Sequence, residues 1–414
     1  MSSDPRPLAG LRVLSFGTFV AGNVCAAILA NLGADVVKIE SPHRPEPLRS
    51  YYTPDHGETF EPSGMRTTAT FASLTAGLRS AGLHMDAESG RELFRRLAAQ
   101  ADVVVENFGP GQLERWGCGF ETLRNLRPDL VMASLSGYGQ TGPRAHYRAY
   151  ASNIANYLGL RSAWAHDGMH FDFVAAFHAV VGILAARESV RRGGGAVHLD
   201  IAQTETGAAL MAPLYLAELN GDPAWNQGPN QVPGAVLSGV FACSGHDAWV
   251  AVEIEDADDV ETACRLLEIA ERDNADLPGR LQSALAGWCA AQTPVQAAWR
   301  LQTAGLAASA VQNLEDLWRD PQLRSRNAYA PVDHPDLGPL ELPAAPELIA
   351  LGLPRAARPG ARLGGDTARA LRDWLGVTPE ELRQLELSGA CWLPQQAEAE
   401  AAPRSATSAA LAGT

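Results

Sequence analysis

The feature that most constrains this chain is an alternation of short apolar runs with helix-like segments along its first third. LRVLSFG (11–17) is a buried-strand pattern stopping at glycine. A small-residue helix follows from about Gly22 to Leu32, and ADVVKIE (34–40) reads as a second strand. AESGRELFRRLAAQ (87–100) carries Leu93, Phe94, Leu97 and Ala98 at helical spacing and leads into ADVVVENF (101–108), while LVMASLSGYG (130–139) is another strand ending at glycines. Strands joined through helices pair in parallel with right-handed crossovers, and near-continuous apolar strands imply burial on both faces. The predicted fold is α/β, with a Rossmann-like large domain.

Residues 41–80, rich in Pro, Thr, Ser and Gly, break this rhythm and read as an excursion over a ligand site or a mobile segment. HFDFVAAFHAVVGILAA (170–186) starts a helix of ~20 residues that stops at RRGGGA (191–196). VHLDIA (197–202) and a helix around 204–219 complete a first part spanning 1–220. The texture changes after NGDPAWNQGPNQVPGA (220–235), so 221–328 is expected to be a smaller α/β domain, with GVFACSG and AWVAVEI as a hairpin and LAASAVQN as a further segment. The Pro-rich stretch from 329 reads as an extended return to the large domain, closing with helices near 366–376 and 378–388 and ending at 392. Residues 393–414 lack an apolar pattern and are expected to be disordered.

A formal charge of -14 disfavours nucleic acid and anionic membranes as general partners. No run reaches the ~18 uninterrupted apolar residues of a membrane helix, and MSSDPRPLAG lacks the basic start and apolar core of a signal peptide. The six cysteines include no C-x-x-C pair, which suits reduced thiols. A cytoplasmic location is expected. The first strand–helix junction, GTFVAG (17–22), lacks G-x-G-x-x-G, and Asn23-Val24 stand where a Walker loop requires Lys-Ser/Thr, so neither a dinucleotide nor ATP is supported. No G-x-S-x-G or H-E-x-x-H occurs, and no metal site is expected. One carboxylate stands out: Asp172, in front of an apolar helix, is either an N-cap or a reacting group, and its own stretch leaves both open.

PLAGLRVLSFG, LGADVVKIESP, ADVVVENFGPGQLERWGCGFETLRNLRPDLVMASLSGYGQTGP and VVGILAARESVRRGGGAVHLDIA together resemble the family III CoA-transferases, whose divergent branch includes α-methylacyl-CoA racemase. NLEDLWRDPQLRSRN, DHPDLGPLELPAAPELI and RLGGDTARALRDWLG match as well, so the resemblance covers most of residues 7–390 in order. In that family the nucleophile is an aspartate ten residues before the glycine of a G-I-L-A-A run; Gly182 opens that run here and Asp172 holds the aspartate position. The resemblance implies that Asp172 attacks an acyl-CoA thioester, giving a mixed anhydride and then an aspartyl-CoA thioester. It also implies that Val20 and Ala21 pass CoA through their backbone, that Asn107 and Phe108 contact it near the thioester, and that Arg115 lies along it. Arg79 is a candidate for its phosphates, and Gly137 and Tyr138 for the acyl pocket. CoA is then a substrate rather than a resident cofactor, a small carboxylic acid is the second partner, and an intertwined homodimer is expected.

The departures bear on specificity. Leu78 stands where the family has a lysine before Arg79, Gly22-Asn23 replaces a Gly-Pro pair, and Ala149-Tyr150-Ala151 replaces Gly-Tyr-Asp. The glycine-rich flap of formyl-CoA transferase is matched only by GPNQVPGA (228–235). A racemase would need two proton-exchanging groups. Tyr150 stands where that branch has histidine, although His146, His166 and His170 lie near in sequence, and His178 is expected in the core. A non-catalytic CoA-binding subunit is the other alternative: the departures motivate it and the retained Asp172 opposes it.

Overall fold

The computed structural model describes residues 5–49, 68–160, 169–221, 230, 232, 234–269, 276–344, 346, 359–360 and 362–394. Among these residues the strands are β1 (Arg12–Phe16), β2 (Asp35–Glu40), β3 (Arg79–Leu83), β4 (Val103–Glu106), β5 (Val131–Ser136), β6 (Val197–Ala202), β7 (Leu237–Ala242), β8 (Trp249–Ile254), β9 (Ala307–Ala310), β10 (Tyr329–His334), β11 (Gly338–Pro343) and β12 (Cys391–Trp392). Seven of them form one sheet in the order β12-β3-β2-β1-β4-β5-β6. All its pairings are parallel except that of β12, which runs antiparallel to β3. The protein is thus α/β, and the six parallel strands follow the doubly wound order in which the sheet switches direction between β1 and β4.

Local sequence explains most of these elements. Val103, Val104 and Val105 are wholly buried, as a central parallel strand covered on both faces requires. Helix Glu88–Ala98 turns Leu93, Phe94 and Leu97 into a core that also holds Leu14, Leu83, Leu123, Leu371 and Trp374. Of the stretch 41–80, expected to be an excursion or a mobile segment, residues 50–67 lie outside the described residues; its end forms helix Ala69–Leu74, which starts at the cap Thr68 and is followed by β3. That strand was not legible in the sequence, since RSAGL has a single large apolar residue. Its extended state is imposed by β2 on one side and β12 on the other, where Trp392 lies against Gly82 so closely that a Cβ there would meet its carbonyl oxygen at 3.0 Å. The predicted helix at 204–219 is two helices, Gln203–Leu210 and Ala212–Leu219, because Pro213 cannot donate to a continuing ladder. The extended return from 329 folds into the antiparallel hairpin β10–β11, and the closing helices are Thr367–Leu375 and Pro379–Leu387.

The chain divides into two compact units, 1–146 with 175–202 and 329–414, and 147–174 with 203–328. Segments 147–174 and 203–220, assigned by the sequence reading to the first domain, therefore go with the second unit. Within that unit β7, β8 and β9 form an antiparallel sheet, and Leu281, Leu285, Cys289, Ala297 and Leu301 pack with Phe241, Val250, Val252 and Ile254. Residues 395–414, expected to be disordered, lie outside the described residues, as do 163–168 and half of 228–235.

Candidate active site

In the first unit the loops after β1 and β4 flank the switch point, where doubly wound sheets bind ligands. One side chain ties them together: Asn107 accepts from the Thr18 N–H at 2.7 Å and donates to the Thr18 carbonyl at 2.8 Å. Gly17 and Gly22 close the turn. A Cβ on Gly22 would stand 2.6 Å from the Gly17 Cα and 2.8 Å from Asn107 Oδ1, so these glycines permit close strand–helix approach. Val20 and Ala21, at the start of helix Ala21–Asn31, have buried side chains. Phe19, between them and Thr18, takes φ +51°, a conformation costly for a bulky residue. What holds it there is a buried cluster: the Phe19 N–H donates to Glu46 at 2.8 Å, and Lys38 donates to the Gly17 carbonyl, to Asn23 at 3.0 Å and to Glu46 at 3.1 Å. Phe108 packs at a tilt on Phe16 and edge-on with Trp116, while Arg115 is exposed and donates to Gln112 at 2.6 Å.

Glu106, the last residue of β4, folds back on the turn it precedes and accepts from the Phe108 N–H at 2.8 Å. Burial pushes its carboxyl up to about 7, against the bonds from Ser134 and Phe108 that favour the ionised form. Ser134 also meets His198 Nε2 at 2.9 Å. Beyond β5, Gly137 and Tyr138 are half-buried, and the loop that carries them is pinned by the Gln140 N–H on both oxygens of Asp200.

Arg79 is placed differently. Its side chain reaches Asp35, the first residue of β2, at 2.5 Å and Asp373 at 2.9 Å, so it points to the amino edge of the sheet, away from Asn107. It borders a pocket of 620 Å³ in which Asp35, Asp366 and Asp373 match Arg79, Arg362 and Arg369 in number. That pocket offers phosphates no net positive charge.

In the second unit stands Asp172. The helix begins at His170, three residues before the start just after Asp172 that an N-cap aspartate would give, so Asp172 is the third residue of the first turn and not its N-cap. Its carboxylate is 8% exposed and accepts from Gln203 Nε2 at 3.0 Å. Burial pushes its pKa up to about 6, and the Gln203 bond acts in the opposite direction. Phe171 is buried beside it, while Phe173 is half-buried and His178, expected in the core, is exposed. The reason is helical phase: Ala175, Ala176, Ala179 and Ile183 occupy the buried face, and 178 falls off it.

Two glycines mark close packing along these helices. A Cβ on Gly182 would touch Leu199 of β6 at 3.3 Å, so the glycine seats the helix against the sheet. Gly207 lies one turn beyond Gln203 on the same helix face; a Cβ there would meet Leu158 at 2.3 Å and the Phe171 ring at 2.8 Å. Phe171 packs over Gly207, and the adjoining Asp172 meets Gln203.

A desolvated carboxylate with a pKa near 6 is ~90% ionised at pH 7 and more basic than a hydrated one. It is suited to nucleophilic attack. Lys38, Glu46, Glu106 and Gln203 went unremarked in the sequence. Lys38 and Glu40 were findable, since charges two apart in a run otherwise as apolar as VVKI share one buried face; Gln203 carried no local signal.

The family profile described as CoA-transferase family III matches residues 8–367. A probable CoA-transferase of Mycobacterium tuberculosis is 29% identical over 408 residues, covering 92% of this chain; the chain spans only 50% of that relative's length. The succinyl-CoA–D-citramalate CoA-transferase of Chloroflexus aurantiacus is 27% identical over 405 residues, covering 93% of this chain and 99% of that one. Among solved structures, a CaiB/BaiF family protein from Brucella suis superposes with a TM-score of 0.74 at 25% identity, covering 89% of this chain and 99% of that one.

Proposed function

The chain belongs to CoA-transferase family III, and from that premise we propose that it moves CoA from an acyl-CoA thioester to a carboxylic acid with Asp172 as nucleophile. The observation that carries the reading is the state of this carboxylate: buried in the first turn of a helix, bonded by Gln203 and raised to about 6. In water a carboxylate attacks thioesters poorly because it is hydrated and must diffuse to its target. Removing the water and fixing the geometry lowers both barriers.

One carboxylate oxygen bonds to the thioester carbonyl carbon, the C–S bond breaks, and CoA leaves as thiolate from the mixed anhydride. The thiolate then bonds to the Asp172 carboxyl carbon and releases the donor acid, leaving an aspartyl-CoA thioester. An acceptor carboxylate reverses the two exchanges. No electron is transferred and no metal is required. Val20, Ala21, Asn107, Phe108 and Arg115 are the proposed CoA contacts, with Gly137 and Tyr138 beside the acyl group. Arg79, committed to two aspartates, is the weakest member of that set. Because the citramalate relative is named for succinyl-CoA, a short dicarboxylyl-CoA is the donor class to test first.

Helix His170–Arg191 is long and apolar enough to cross a membrane by length and composition, as core helices of other proteins also are. It exposes Phe177, Val181 and Leu184 at helical spacing. We assign this stripe to burial against a second copy of the chain, consistent with a homodimer acting in the cytoplasm. The test of function is a panel of acyl-CoA donors and carboxylic acids with wild-type protein and Asp172→Ala. Transfer in the wild type that vanishes in the variant is expected; transfer that survives in the variant overturns the assignment, and deuterium entering the acyl α-carbon without an acceptor acid points to racemisation instead.

A further inference from the structure

Two chemically distinct oxygens follow from the Gln203–Asp172 contact. Gln203 Nε2 lies 3.0 Å from Oδ1, and both side chains are buried, with 7% and 8% of their surface exposed. The donor comes from the first residue of helix Gln203–Leu210, whose backbone carbonyl is in turn held by the Thr206 hydroxyl at 3.1 Å. Phe171 over Gly207 fixes the same two helices a turn away. The backbone of Gln203 is therefore held within its own helix, and its amide is aimed at one atom of the nucleophile.

We propose that Gln203 is a catalytic residue that marks Oδ1 as the non-attacking oxygen and stabilises the negative charge that gathers there. This rests on Asp172 being the nucleophile. With Oδ1 engaged, Oδ2 is the oxygen that bonds to the thioester carbon. When the CoA thiolate then attacks Cγ, a Cγ–S bond forms, the carbonyl electron pair moves onto Oδ1, and collapse breaks Cγ–Oδ2 so that the donor acid departs with that oxygen. Oδ1 is now the carbonyl oxygen of the aspartyl thioester, still facing the Gln203 N–H. Attack by the acceptor carboxylate on Cγ puts charge on Oδ1 a second time, and breaking Cγ–S expels the thiolate. Both steps at Cγ place an oxyanion on the atom that Gln203 already holds, so the donor needs no reorganisation as charge develops. A carboxamide suits this duty because it donates at every working pH and adds no charge beside the nucleophile.

The test uses Gln203→Met, which keeps the volume and removes the donor, in the full-length protein with its best donor–acceptor pair. Loss of one oxyanion donor predicts a kcat lower by roughly 10²–10³-fold with little change in KM for acyl-CoA, and slower appearance of the aspartyl-CoA adduct in single turnover. Because the bond also favours the ionised carboxylate, the acid limb of the pH profile moves to higher pH. A kcat within about threefold of wild type and an unmoved limb overturn the proposal, a threefold change being well under the loss of one such donor. If Gln203→Met does not fold, Gln203→Ala is read in the same way. The failures are separable: if Asp172→Ala is inactive while Gln203→Met behaves as wild type, only the role of Gln203 falls, whereas transfer surviving in Asp172→Ala overturns both.

Discussion

Replacing Asp172 by asparagine should make the protein more stable, and by an amount that grows with pH. The unfolded carboxylate titrates near 3.8 and the folded one near 6, because burial penalises its charge. Below about pH 3 the group is mostly protonated in both states and costs little. As pH rises through the window between the two values the unfolded chain gives up its proton first, so the native state loses stability. Above about 7 the full difference applies, and two pKa units at 1.36 kcal/mol each give ~3 kcal/mol. Asparagine is neutral throughout and its amide oxygen can still accept from Gln203. The stability gain of Asp172→Asn over wild type is therefore expected to climb from under ~1 kcal/mol at pH 4 to ~3 kcal/mol at pH 8. Urea unfolding of both proteins at several pH values reads this as a difference, which cancels the pH response of every other group. A gain that is flat with pH, or a loss at pH 8, would refute the view that the carboxylate is held in an unfavourable, desolvated state.

Further expectations concern its surroundings. The acid limb of kcat/KM should fall off near pH 6 as Asp172 takes up a proton, and a limb near 4 would show a solvated carboxylate. Gly207→Ala drives a Cβ into Leu158 and Phe171, so a loss of about 1–3 kcal/mol is expected together with reduced turnover through displacement of Asp172; thermal melting and steady-state rates check both. Lys38→Met strips the buried Glu46 of its partner and should cost about 3–5 kcal/mol, most of it recovered in the double variant with Glu46→Gln. A single variant as stable as wild type contradicts the role given to this pair in shaping the loop at Phe19.

The parts of the fold that could be read in advance are those where one local pattern decides the outcome. LRVLSFG, ADVVVENF and LVMASLSGYG are apolar enough to be strands wherever they sit, and parallel pairing follows from the helices between them. Arg79–Leu83 could not be read this way, because its strand state comes from neighbours distant in sequence, and with it went the direction of the Arg79 side chain. The break at Pro213 is a local signal that the apolar pattern of 204–219 masks. Asp172 could be singled out only through the ten-residue interval to Gly182. Gln203, 31 residues away, meets it because of tertiary packing around Gly207, and no spacing rule encodes that.

The most direct test of the central claim is covalent. Purified protein is mixed with an acyl-CoA in the absence of acceptor, quenched, and the peptide carrying Asp172 is weighed. The account predicts CoA bound to that peptide as a thioester, discharged by hydroxylamine to a hydroxamate at Asp172 and missing from Asp172→Asn. An unmodified Asp172 peptide under conditions where the same preparation transfers CoA would contradict it.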